Sequence, residues 1–182
     1  MSEGGWLADA RRLPSPNRDA RPEGTAVVLA IVHSISLPPG TYGGDAVERL
    51  FTNTLDWDVH PYFASIRGLC VSSHLFVRRD GALVQFVPIG ERAWHAGLSA
   101  WRGRERCNDF SVGIELEGLE GEAFEDAQYE TLLRALNDLR RDWPIDAVAG
   151  HEDVAPGRKR DPGPGFDWGR LAAALGPGWN IR

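Results

Sequence analysis

The chain has 182 residues, with 20 Lys plus Arg against 26 Asp plus Glu and a formal net charge of −6. That length fits one domain able to bury a core without disulfide or metal staples. The 42% hydrophobic and 25% charged composition excludes a disordered chain, and the acidic balance argues against a nucleic-acid partner. The longest apolar run, residues 26–32, falls far short of the ~20 residues of a membrane span. Residues 1–25 hold no apolar stretch of signal-peptide length, and the two cysteines, Cys70 and Cys107, read as free thiols. These features predict a cytoplasmic monomer that does not engage membranes.

In chain order, residues 1–25, punctuated by Pro14, Pro16 and Pro22, read as an irregular arm, and residues 26–182 as the domain proper. The run AVVLAIV (26–32) has the pattern of a strand buried on both faces, closed by His33. Gly43, Gly44 and Asp45 then introduce a short helix, AVERLF, with Asp45 as its N-cap. Residues 74–77 and 83–87 flank Arg79-Asp80-Gly81, a hairpin signal. From Phe110 to Leu116 the chain alternates. Phe110, Val112, Ile114 and Leu116 point one way; Ser111, Gly113 and Glu115 point the other. Tyr129, Leu132, Leu133, Leu136 and Leu139 then fall at helical spacing, with Asp126 as cap and Pro144 as stop. Residues 145–149 form another short buried strand running into Gly150-His151. A Gly/Pro-rich loop leads to a last helix from about Asp167, with Trp168, Leu171 and Leu175 on one face. Strands and helices without strict alternation predict a mixed α/β domain, one sheet with helices packed on it.

His33 and His151 both lie at the end of a buried strand, where open sheets form their ligand crevices. Each alone could be a polar residue that merely closes its strand. Together with a carboxylate they gain a second reading. Asp161, ten residues beyond His151 in a loop shaped by Pro156, Gly157, Pro162 and Gly163, can fold back toward it. Two imidazoles and a carboxylate leave an open position on zinc, the catalytic arrangement. Glu115 is the candidate general base. It sits between Ile114 and Leu116, where burial would raise its pKa. Glu117, on the same face, competes for that role. Arg102, Arg104 and Arg106 in one loop, and Arg158, Lys159 and Arg160 in another, are either solvated loops or a cationic rim for substrate carboxylates. Lys159, two residues before Asp161, could face a developing oxyanion. Trp94 and Trp101 could offer flat walls to a sugar or peptide.

The segments IVHSISLPPG (31–40), HPYF (60–63), SSHLFVRRDG (72–81), RAWHAG (92–97), GRERCNDFSVGIELEG (103–118) and GHEDVAPGRKRDPGPGFDW (150–168) together resemble the zinc-dependent N-acetylmuramoyl-L-alanine amidases. The likeness is greatest to the branch acting on anhydro-muropeptides in peptidoglycan recycling. It implies a fold like phage T7 lysozyme and the peptidoglycan recognition proteins. It also implies one zinc per chain on His33, His151 and Asp161, Glu115 as catalytic acid/base, and Lys159 assisting at the oxyanion. Trp94, Arg106, Asn108 and Ala155 fall at positions that the family uses around the substrate. His74 and His95 belong to the pattern as supporting residues rather than ligands. Three departures stand out: Ser34 follows the first ligand where relatives carry Asn, Cys70 replaces an Arg associated with the stem peptide, and the arm matches nothing in detail. The implied substrate is a muropeptide, cut between the lactyl group and L-alanine. The alternatives are a secreted or phage-type amidase lysing intact wall, and a non-catalytic muropeptide-binding module.

Overall fold

The computed structural model describes residues 3–182; residues 1 and 2 of the arm lie outside the described residues. The arm contributes β1 (Arg11–Arg12) and β2 (Arg18–Ala20). Then follow β3 (Leu29–Ile35), α1 (Ala46–Phe51), α2 (Pro61–Ser65), the hairpin β4 (Leu75–Val77) and β5 (Leu83–Gln85), and β6 (Glu91–Ala93). A small ribbon of β7 (Ala100–Trp101) and β8 (Arg104–Glu105) precedes β9 (Ser111–Glu117). The chain closes with α3 (Asp126–Asp142), β10 (Ala147–Gly150), α4 (His151–Val154), α5 (Trp168–Leu175) and β11 (Asn180–Ile181).

Seven strands form the main sheet in the order β1-β5-β4-β9-β3-β10-β11. Of its pairings, β4 with β5 is antiparallel and the others are parallel, so the sheet is mixed as predicted. The two central strands, β3 and β9, are buried along most or all of their length, which is why their sequences are so apolar. Val32, Val112, Ile114 and Leu116 share one core with Tyr129, Leu132, Leu136 and Leu139 of α3 and Leu171 of α5. Burying each such aliphatic side chain contributes roughly 1.5–3 kcal/mol. On the opposite face two smaller clusters form. One gathers around Phe51, Phe63, Phe76 and Phe86, the other around Leu29, Ile31, Phe110 and Val154. His33 and Glu115 emerge on this second face.

Four expectations need correction and a fifth, the Asp45 cap, refinement. Phe110, expected on the face of Val112, Ile114 and Leu116, packs with Leu29 and Ile31 instead, because it precedes the strand that begins at Ser111. The apolar strand does not stop at His33. It begins at Leu29 and runs to Ile35, because Ser34 and Ile35 still pair with Leu116 and Glu117 of β9. The N-cap of α3 is Glu125 rather than Asp126, since the Gln128 side chain accepts the Glu125 N–H at 3.0 Å and begins the helix one residue earlier. Asp45 holds the N-cap position of α1, but its carboxylate accepts from Arg49 Nε at 2.7 Å instead of from the backbone. Nor is the arm irregular throughout: β1 adds to the sheet edge beside β5, and β2 pairs with β6. Edge pairing uses only backbone groups, so a stretch such as Arg11-Arg12 carries no apolar signal of it.

Candidate functional site

The β3–β10 register sets Val32 opposite Gly150, so the next residues, His33 on β3 and His151 at the start of α4, come side by side. The loop after α4 then folds back. Ala155 O accepts from Arg158 N and Lys159 N, and Glu152 N donates to Asp161 O at 2.9 Å. This return brings the Asp161 carboxylate to the two imidazoles. His33 Nδ1, His151 Nδ1 and Asp161 Oδ2 form a triangle with every side 3.0 Å. All three residues are buried.

The outer nitrogens explain why these atoms face inward. His151 Nε2 lies 3.1 Å from Ala96 O, an acceptor, so the proton belongs on Nε2 and Nδ1 presents a lone pair. His33 Nε2 lies 3.0 Å from His95 Nδ1, whose own Nε2 is 3.2 Å from Ser111 Oγ. With the His33 proton on Nε2, its Nδ1 also presents a lone pair. Burial, and then the neighbouring His151, pull the His33 imidazole down to about 4, so it is neutral at pH 7. Asp161 Oδ2 is the third electron-pair donor of the triangle, 3.0 Å from each Nδ1. Three acceptors crowded this closely repel one another unless a cation lies between them. The set N, N, O suits a divalent ion of zinc's type.

Glu115 is directly opposite His33 in the β3–β9 register. It is buried, and its Oε2 has no hydrogen-bond partner. Burial, and then the Asp161 charge, push its carboxyl well above the ordinary range, while Lys159 pulls the other way. Glu117 is buried as well, but its carboxylate is consumed: Oε1 accepts from Gly43 N at 2.6 Å and Oε2 from Arg79 N at 3.0 Å. Depth in the strand therefore does not separate the two carboxylates. Their partners do.

The cluster opens into a cleft of about 1070 Å³ whose walls include Trp94, Asn108, Glu115, Lys159, Arg160 and Asp161. Ser34 and Cys70, two of the departures, also line it. Arg106 and Ala155 are not among its lining residues. The Arg106 guanidinium pairs with Asp109 at 3.3 Å, and Ala155 is buried at the end of α4. The 102–106 cations form no rim to the cleft either. Arg104 stacks over Phe110 and Arg102 over Trp101, and Trp101 packs against the cluster around Phe110. Arg158, Lys159 and Arg160 all line the cleft, but Arg158 donates to Ala96 O and Leu98 O, whereas no such carbonyl engages the Lys159 ammonium. Asn108 faces the cleft, but its Oδ1 accepts the N–H groups of His95 and Ala96 at 3.2 and 2.8 Å. His95 lies against Gly113, where a Cβ would stand 2.5 Å from its ring. That glycine was legible in the sequence only as a small residue on the polar face.

A mixed sheet carrying two imidazoles and a carboxylate on one ligand point, beside a buried glutamate whose Oε2 has no partner, defines a site able to hold a metal ion in an open cleft, as hydrolases build. The sequence profile of the N-acetylmuramoyl-L-alanine amidases matches residues 23–164, and the chain belongs to that family. It is 54% identical over 177 residues to the 1,6-anhydro-N-acetylmuramyl-L-alanine amidase AmpD of Enterobacter cloacae, covering 96% of this chain and 95% of that protein. Against AmpD of Escherichia coli K12 the identity is 54% over 173 residues, 94% of each chain. The crystal structure of a selenomethionine AmpD derivative superposes with a TM-score of 0.92 at 52% identity, covering 97% of this chain and 99% of that one. The Escherichia coli amidase AmiD, in complex with anhydro-N-acetylmuramic acid-L-Ala-D-γ-Glu-L-Lys, gives 0.61 at 31% identity, covering 85% of this chain and 60% of that one. Coverage of 96% leaves too few residues outside the alignment for the arm to be an unmatched extension. Among the described residues, no helix is long and apolar enough to cross a membrane.

Proposed function

We propose that the chain is a zinc-dependent amidase, acting as a monomer in the cytoplasm. Its reaction is hydrolysis of the amide between the lactyl group of 1,6-anhydro-N-acetylmuramic acid and the L-alanine of the stem peptide, a step in recycling peptidoglycan fragments. The observation that carries the reading is the 3.0 Å triangle of His33, His151 and Asp161 beside the unpartnered Glu115. Membership of the amidase family supplies the bond to be cut.

His33, His151 and Asp161 would hold one zinc per chain. When bound, the ion supplies Lewis acidity to the scissile carbonyl and makes a water nucleophilic near neutral pH. Glu115 removes the proton from the attacking water and returns it to the departing alanine nitrogen. Its raised proton affinity suits both halves of that transfer. Lys159 brings a point cation to the negative charge that grows on the lactyl oxygen. Trp94, on the cleft wall with its backbone N–H donating to Ser72 Oγ, offers a flat wall to the substrate.

The test is metal analysis of the purified chain with product analysis on two substrates, a soluble anhydro-muropeptide and intact sacculi. One zinc per chain and release of the free stem peptide from the soluble substrate are expected. A chain that cuts only sacculi would be a wall-lytic amidase instead. One that binds muropeptide without cutting it would be a recognition module.

A further inference from the structure

Arg21 belongs to the arm, ahead of residues 23–164 that match the family profile, and the mechanism above does not use it. Its half-buried guanidinium reaches four main-chain carbonyls. Nε and Nη2 donate to Ile89 O at 3.2 and 3.1 Å, Nη1 to Asn108 O and Asp109 O at 3.0 Å each, and Nη2 to Ser111 O at 2.8 Å. Burial pulls this group down to about 10, which leaves it charged at pH 7. A planar fork can satisfy such a divergent set of acceptors; a lysine ammonium cannot reach them all.

Two of the residues so gripped support the metal histidines from behind. Asn108 Oδ1 holds the N–H groups of His95 and Ala96, and Ser111 Oγ meets His95 Nε2. His95 Nδ1 and Ala96 O then meet the outer nitrogens of His33 and His151. One dipeptide therefore sets which nitrogen each ligand turns inward, and the arm braces the backbone on which that dipeptide rests.

We propose that Arg21 is a positioning residue of the metal centre: by gripping the carbonyls of Asn108, Asp109 and Ser111, it holds His95 and Ala96 where they fix the inward Nδ1 of His33 and His151. The proposal rests on the zinc reading above. Groups behind metal-bound histidines commonly matter 10–100-fold in metal affinity.

The test uses the full chain with Arg21→Lys, Arg21→Gln and a control, Gln85→Ala. Gln85 anchors the arm elsewhere, accepting from Leu7 N and donating to Gly5 O and Val87 O, away from residues 108–111. Zinc affinity is measured by competition with a chromophoric chelator, well below each variant's Tm. Imidazole ¹⁵N spectra of the metal-free protein report the tautomers. Both Arg21 variants should bind zinc about 10-fold more weakly and lose the fixed Nε2–H signals of His33 and His151. Gln85→Ala should lower Tm and leave both readouts unchanged. Wild-type affinity and spectra in a folded Arg21 variant would overturn the proposal. So would equal losses in the control, or Arg21 variants that fail to fold while the control folds. If the wild-type chain takes up no zinc, the zinc reading falls by itself and the imidazole signals alone decide the role of Arg21.

Discussion

Replacing Glu115 by Gln keeps the side chain's shape and removes its charge, which separates what this carboxylate does for catalysis from what it costs the fold. It is 8% exposed and its Oε2 has no partner. Because burial and Asp161 raise its proton affinity in the folded state, the folded protein holds this proton more tightly than the unfolded chain does. Its contribution to stability therefore falls as pH rises from the ordinary carboxyl range through the raised folded value. At pH 7, in the metal-free protein, Glu115→Gln should stabilise by ~1–3 kcal/mol, the scale of a buried unsatisfied polar group. For a chain of this size that is roughly 2–4 °C in Tm per kcal/mol. The same change removes the general base, so kcat should drop ~10²–10⁴-fold, about 3–5 kcal/mol of barrier. Calorimetry of the metal-free protein between pH 5 and pH 8, zinc titration and turnover of a soluble anhydro-muropeptide make the three readouts. A more stable, zinc-binding, nearly inactive enzyme is expected. Wild-type turnover, or a Tm below wild type at pH 7, would refute the reasoning.

His151→Ala should lose zinc and activity together, since Asp161 and His33 cannot close the ligand set alone; metal analysis of the folded variant checks this. Glu117→Gln should retain zinc and most of kcat but lower stability by ~1–3 kcal/mol, because its amide cannot accept from both Gly43 N and Arg79 N as the carboxylate does. Denaturant titration reads that loss. Lys159→Ala should lower kcat and kcat/KM together, on the order of 10²-fold. Arg106→Ala should leave both near wild type, because that guanidinium pairs with Asp109 and is not among the groups lining the cleft. Steady-state kinetics of the two variants on one substrate distinguishes them.

His151, Asp161 and Glu115 were legible because each breaks a local pattern: a histidine closing an apolar run, an acid in a Gly/Pro loop, an acid between two aliphatics. The alternation around Val112 and Ile114 placed β9, and the 3.6-residue period placed α3. What stayed hidden depends on contacts between distant segments. Nothing local marks Arg21 as different from Arg11 or Arg18, yet it alone of the three sits behind the site. Arg158 and Lys159 are adjacent, alike in charge and both on the cleft wall, but the turn at Ala155 ties the Arg158 guanidinium to Ala96 O and Leu98 O. Glu115 and Glu117 share a face and differ only in whether a backbone N–H from another loop arrives.

The pairing of His33 with Glu115 across β3 and β9 also divides the chain by the kind of change it can absorb. Side chains alternate faces along a strand, so adding or deleting one residue ahead of His33 in β3 would turn it toward α3 and bring a neighbour into the cleft. The proposed ligand and base are thus fixed by counting, and substitution is the only variation these strands permit. The cleft walls contributed by Leu37, Pro39, Ile66 and Leu69 lie outside the sheet and carry no such parity. Lengthening or shortening those loops would alter which muropeptide is admitted while the hydrolytic pair stays in register.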